Sequence, residues 1–248
     1  MSEQVMLQLE RVSKAFGGVL AVNKVSLSLM RGRRYALIGP NGAGKSTLFN
    51  LITGQLRCDE GEISFLGKPI QKLPPHDICR LGLARTFQIS SVFPKLKVSK
   101  NIEVARLAQK RQTSSVAPGI DVAVRDEAMS LLQDVGLQDQ SERIAGTLSY
   151  GDRKRLELAM VLALEPVLLL FDEPVAGVAA RERWLMVDLI NRLCQERGLT
   201  LLFTEHDMGV VGALADWVTV LHRGSLLAEG SAEEIRTRED VRRVYLGE

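Results

Sequence analysis

"RYALIGPNGAGKSTLFNLITG", Arg34 to Gly54, contains the reading that decides the fold. The apolar run before Gly39 has strand character, and the amphipathic run after Gly44 has helix character, stopped by Gly54. Between them Gly39, Pro40, Asn41, Gly42, Ala43, Gly44, Lys45, Ser46 and Thr47 match the phosphate-loop pattern G-x-x-x-x-G-K-[ST]. The glycines let the backbone turn tightly and present N–H groups to phosphate oxygens, and the following helix start adds partial positive charge. Lys45 is placed to reach β- and γ-phosphates, Ser46 to offer a hydroxyl to Mg²⁺, and Thr47 to add a second hydroxyl near the α-phosphate.

Outward from this loop, the same alternation of strand and helix recurs. "LLLFDEP", Leu168 to Pro174, ends a buried strand in Asp172 and Glu173, at the edge where open α/β sheets bind ligands. Asp172 is the candidate to hold a metal's water shell. Glu173 is the candidate to orient and deprotonate an attacking water, a role that contributes about 10² to 10⁴ in rate. "GLTLLFTEHD" is a second apolar run, separated from the first by the helix-patterned "RERWLMVDLINRLCQERG", which predicts a parallel sheet.

Upstream, Val5 to about Leu29 alternates apolar and polar residues around Gly17–Gly18 and predicts paired strands. "GEISFLGKPI" returns to strand, with Leu66, Gly67 and Lys68 as its turn. From about Ser90 to Leu164 the pattern is helical, including Val98 to Lys110 and Asp121 to Val135. "DWVTVLHRGSLLAEG" predicts a hairpin, and Ser231 with Glu234 opens a helical tail. Within the helical stretch, Ser149 and Asp152 stand three apart ahead of an amphipathic run and predict a capping box.

Composition bounds the rest. The 248 residues are 46% hydrophobic and 25% charged, as in an ordinary globular protein rather than a disordered or membrane-spanning one. The charge of +2, from 32 basic and 30 acidic residues, gives no reason to expect a nucleic-acid surface. "RGRR", Arg31 to Arg34, reads as a solvated face. Cys58, Cys79 and Cys194 are scattered without metal-ligand spacing and read as free thiols in a reducing compartment. "MSEQVMLQLE" has neither a basic nor an apolar leader region, so no signal peptide is expected.

The phosphate loop, "TFQ", "LSYGD", "LLLFDEP" and "TEHD" occur in the order and spacing of ABC-transporter ATPase domains, and the chain resembles that family over nearly its whole length. The resemblance implies one domain, 1–248, of α/β class: a P-loop NTPase core with an antiparallel β subdomain (1–89 and 165–248) and an inserted α-helical signature subdomain (90–164). It implies ATP and Mg²⁺ as cofactors. Phe16 resembles the aromatic that stacks on adenine, with Val22 beside it, and Gln88 resembles the glutamine that touches Mg²⁺ and senses the membrane partner. His206 resembles the switch histidine that contacts γ-phosphate. Ser149 and Gly151 resemble the signature that caps the γ-phosphate of ATP held by the opposite subunit.

"ARTFQ", Tyr150 as third signature residue, "DEPVAGV" in place of the commoner Thr-Ser-Ala-Leu-Asp continuation, and "RRVYLGE" are similar to the ATPases of branched-chain amino-acid importers, with urea or amide importers as the alternative. An exporter or a soluble ABC ATPase is disfavoured by these strings and by the single motif set. Two permease subunits and a solute-binding protein are the implied partners, at the cytoplasmic face of a bacterial inner membrane. The chain departs from the family at Asp152, where Gln is usual, and at Ala179, where many members carry Asp. Ala179 sits where that Asp faces the other subunit, and points to a heterodimer with a second ATPase subunit, with a homodimer as the alternative. For Asp152, the expectation is a side chain turned away from the nucleotide, since a carboxylate near γ-phosphate is repelled.

Overall fold

The computed structural model describes residues 4–86, 92–110 and 120–246. Strands β1 (Val5–Phe16) and β2 (Val19–Met30) turn back on each other through Gly17–Gly18 and pair antiparallel. Strand β3 (Arg34–Ile38) leads through the phosphate loop into helix α1 (Lys45–Ile52). Strands β4 (Glu60–Phe65) and β5 (Lys68–Pro69) follow, and Lys68, expected in the turn, already pairs with Phe65. A short helix α2 (Pro75–Arg80) and strand β6 (Leu83–Arg85) complete this half.

Helices α3 (Val98–Lys110), α4 (Ile120–Asp134) and α5 (Tyr150–Leu162) form the middle of the chain, with 3-10 turns at Gln138–Gln140 and Ala145–Thr147. Then come β7 (Leu168–Asp172), α6 (Ala180–Arg197), β8 (Thr200–Thr204), α7 (Met208–Leu214) and the hairpin of β9 (Trp217–His222) and β10 (Ser225–Gly230). Helices α8 (Ala232–Thr237) and α9 (Glu239–Leu246) close the described chain. Ser231 and Glu234 make the full capping box expected of them.

Two sheets result. One is antiparallel, in the order β2-β1-β4-β5; the other runs β10-β9-β3-β8-β7-β6 and is parallel except for the β9–β10 hairpin. The parallel strands are buried on both faces, so β7 and β8 read as unbroken apolar runs rather than alternating ones. Ala36 and Ile38 of β3 join a core shared with α3 to α8, while Tyr35 and Leu37 join one shared with α1, α2 and the antiparallel sheet.

The three central helices pack on one another and are fastened to their neighbours by charge. Arg106 on α3 pairs with Glu127 of α4 at 2.5 Å and with Glu165 beyond α5 at 2.6 Å. At the far end of α4, the Asp134 carbonyl accepts from Arg192 at 2.6 Å, and its carboxylate pairs with Arg197, both on α6. In the "RGRR" run Arg34 departs from the expected solvated role: it holds Asp216 through two guanidinium nitrogens and Asn191 through the third. Among the described residues no helix is long and apolar enough to cross a membrane.

Helix α6 starts without a side-chain cap, because its N-cap residue is Ala179. An Asp there accepts from the first-turn N–H groups, worth about 1 kcal/mol. We expect Ala179→Asp to raise the thermal midpoint by about 2–4 °C; calorimetry showing no rise would mean that the helix start is satisfied some other way.

Candidate functional site

The phosphate loop is wedged between the two sheets. A Cβ on Gly44, where φ is +106°, would stand 2.3 Å from the carbonyl oxygen of Ala21 on β2, and one on Gly39 would stand 2.2 Å from that of Leu221 on β9. Only glycine fits at either place. Helix α1 begins at once after Gly44 with no acidic residue in its first turn and no side-chain cap, which leaves its N–H groups facing the loop's concavity. Lys45 folds back and donates to the carbonyls of Gly39 (2.5 Å) and Pro40 (3.2 Å). Burial lowers the pKa of its ammonium, against the pull of Glu173 and Asp172.

Opposite the loop stand the ends of β7 and β8. Asp172 is 7% exposed, and each of its carboxylate oxygens has a partner. One oxygen accepts from the Thr204 hydroxyl at 2.8 Å, and the other pairs with Arg85 of β6 at 2.9 Å. The same Arg85 reaches Asn50 on α1 at 2.6 Å.

Glu173 follows with φ of +53°, a strained conformation for a residue with a side chain. Its N–H is held by the Thr204 hydroxyl at 3.1 Å. His206 Nε2 lies 3.0 Å from Glu173 Oε1, so with the carboxylate as acceptor that nitrogen carries the proton. Beneath them Glu205 accepts from the N–H groups of Val175 (3.4 Å) and His206 (3.1 Å), and burial pushes its pKa up.

These groups enclose one cavity of about 360 Å³, lined by Ala21, residues 41–47, Asp172, Glu173 and His206. Gly39 and Pro40 stand behind it as acceptors for Lys45. Phe16 is 47% exposed at the end of β1, with the Lys14 ammonium 5.7 Å from its ring centre. Val22 corrects the expectation: it is fully buried in the core and presents nothing to the cavity. The cause is a register shift, in which Lys14 pairs with Val22 and Ala15 with Leu20, so that Ala21 is the extra residue and takes the wall position. Gln88 lies outside the described residues.

Ser149 and Gly151 do not join this cavity. Ser149 caps α5, its hydroxyl accepting from the N–H of Asp152 at 3.1 Å. The box is only half made, because the Asp152 carboxylate accepts from Gln140 at 3.3 Å and lies 3.9 Å from Arg155 rather than returning to Ser149. Gly151 is covered by Glu182, whose carboxylate would stand 2.6 Å from a Cβ. Ser149 itself is exposed.

With that geometry in place the comparisons are decisive: the ABC transporter family matches residues 22–176. The chain belongs to the ABC transporter family. A second family, the branched-chain amino acid ATP-binding cassette transporters, matches residues 225–248 of this cassette. The high-affinity branched-chain amino acid transport ATP-binding proteins LivG of Salmonella typhimurium and of Escherichia coli are each 38% identical to it, over 99% of both chains. BraF of Pseudomonas aeruginosa, of the same description, is 36% identical over 98% of each. Among solved structures, an ATP-binding cassette of an ABC transporter in its ADP conformation superposes with a TM-score of 0.88 at 30% identity, covering 99% of this chain and 100% of that one.

Arg85, Asn50, Thr204 and Glu205 were not singled out from the sequence. Arg85 and Thr204 each sit beside a motif residue, in "ARTFQ" and "TEHD", but only the pairing of β6, β7 and β8 shows that both reach Asp172. Removing one member of a buried ion pair strands the other, at a cost of about 3–5 kcal/mol. Arg85→Ala is expected to lower unfolding free energy by that amount in urea titration; a loss below about 1 kcal/mol would mean that Asp172 is not dependent on Arg85.

Proposed function

We propose that this cassette is the ATP-hydrolysing subunit of a branched-chain amino-acid importer, peripheral to the cytoplasmic face of a bacterial inner membrane. The observation that carries the reading is the single cavity that brings the phosphate loop together with Asp172, Glu173 and His206. The match at residues 225–248 and the LivG and BraF relatives favour branched-chain amino acids over urea or an amide.

In this reading the loop N–H groups and Lys45 bind the phosphates, and Ser46 and Thr47 add hydroxyls. Ser46 and Asp172 offer oxygen donors, which fit a hard cation that takes its remaining ligands from phosphate and water. Mg²⁺ bound there would neutralise phosphate charge during transfer. Phe16, exposed at the mouth of the β subdomain, stacks on adenine, and Gln88 joins the metal and the membrane partner. Glu173 takes the proton of the attacking water, and His206, hydrogen-bonded to it, orients the carboxylate and reaches γ-phosphate.

Ser149 and Gly151 complete the site of a facing ATPase chain, since neither lies in the cavity of its own. Asp152, tethered to Gln140, keeps its carboxylate from Ser149 at the α5 N-terminus, while Glu182 covers Gly151 and has to shift for that phosphate to approach. The absence of a carboxylate at Ala179 favours a different ATPase subunit over a second copy as the facing chain. Two permease subunits convert the closing and parting of the pair into transport, and a solute-binding protein delivers the cargo.

Glu173→Gln separates binding from chemistry. In the transporter purified from membranes it is expected to keep ATP binding while phosphate release falls about hundredfold or more, and leucine uptake stops with it. Unchanged phosphate release would remove Glu173 as the base, and wild-type uptake of urea in place of leucine would assign the other importer class.

A further inference from the structure

Tyr150 stands next to Ser149 at the start of α5, and it reaches across to the loop that leaves Glu173. Its hydroxyl donates to the carbonyl of Ala176 at 3.1 Å. Ala176 in turn donates its own N–H to the Glu173 carbonyl at 3.2 Å, so the atom Tyr150 holds belongs to a turn closed on Glu173. The ring lies against Gly177, where a Cβ would stand 3.2 Å from the tyrosine oxygen and 3.3 Å from its nearest ring carbon. Gly177 also has φ of +75°, a conformation that disfavours any side chain. The Lys154 ammonium lies 5.8 Å from the ring centre.

Two of this chain's sequence features are therefore two sides of one contact. The aromatic third residue of "LSYGD" packs its hydroxyl end against the bare α-carbon of the glycine in "DEPVAGV". The contact is small and open, with Tyr150 47% exposed. It adds little to the core, yet it joins a helix of the central group to the loop of the catalytic strand.

We propose that Tyr150 is a positioning residue, which ties the signature turn at Ser149 to the loop carrying Glu173 within one subunit. This rests on the ATPase reading above and deepens it. When the phosphate of the facing chain engages Ser149 and the α5 N-terminus, the shift passes through the Tyr150 hydroxyl to Ala176 and so to Glu173. Nucleotide capture at one site thereby sets the base of the other, and the two sites act together.

The test uses the transporter purified from membranes with this chain intact, comparing wild type, Tyr150→Phe, Gly177→Ala, the double variant and Glu173→Gln. Tyr150→Phe keeps the ring on Gly177 and loses one hydrogen bond. It is expected to lower kcat about tenfold, the scale of one such bond, and to reduce the Hill coefficient for ATP towards one. KM for ATP should stay within about twofold and the thermal midpoint within about 2 °C, since no buried group is removed.

Gly177→Ala should lower kcat in the same way, and the double variant should lose no more than the worse single one, because both break the same link. An unchanged kcat and Hill coefficient in Tyr150→Phe, with Glu173→Gln inactive, would overturn the role of Tyr150 alone. A fall in kcat accompanied by an equal loss of ATP affinity and thermal midpoint would also overturn it, as a packing defect. Full hydrolysis in Glu173→Gln would instead overturn the reading beneath it.

Discussion

A carboxylate at the end of a strand buried on both faces is tolerable only with partners, and Asp172 recruits them from the two neighbouring strands. Arg85 comes from β6 on one side and Thr204 from β8 on the other. Arg85 extends the network to Asn50 on α1, while the Thr204 hydroxyl also accepts from the N–H of Glu173. One buried charge thus fixes the strand ends, the helix that follows the phosphate loop and the backbone of the residue beside it. The strained Glu173 is held at its N–H by Thr204 of this network.

The phosphate loop meets that network from the opposite wall. Its glycines permit carbonyls of β2 and β9 to approach where any side chain would collide, so the antiparallel sheet, the parallel sheet and the loop are locked in one arrangement. Lys45 is buried and, among the described contacts, bonded only to its own loop's carbonyls, acceptors that the proposed function has it exchange for phosphate oxygens. The signature residues lie on another surface, at the start of α5. In the proposed function a nucleotide in this cavity meets one half of the chemistry here and the other half on a facing chain.

Much of this was legible in the residues because long periodic segments and buried strands carry strong patterns. The Val98–Lys110 helix has the bounds its periodicity predicts, and the two strands that end in Asp172 and Thr204 follow their apolar runs. Short helices without a capping box were not legible: α2 and α7 are six and seven residues long, less than the pattern needs to repeat. Val22 came from the family resemblance alone, and the extra residue Ala21 in β2 leaves its side chain in the core. At Ser149 the pattern predicted the cap and missed the fate of Asp152, whose carboxylate found Gln140 twelve residues away instead of its own helix start. Networks such as Asn50–Arg85–Asp172–Thr204 join residues far apart in the chain, and no local pattern announces them.

The central claim is that the cavity is completed by the signature turn of a facing ATPase chain. The most direct measurement is the structure of the assembled transporter carrying Glu173→Gln and saturated with ATP, read as the distance from Ser149 Oγ to the nearest γ-phosphate oxygen. The account predicts hydrogen-bonding reach, about 3 Å, to the nucleotide of the facing chain. Ser149 left in solvent with ATP bound at both sites, or bonded to the ATP of its own chain, would contradict it.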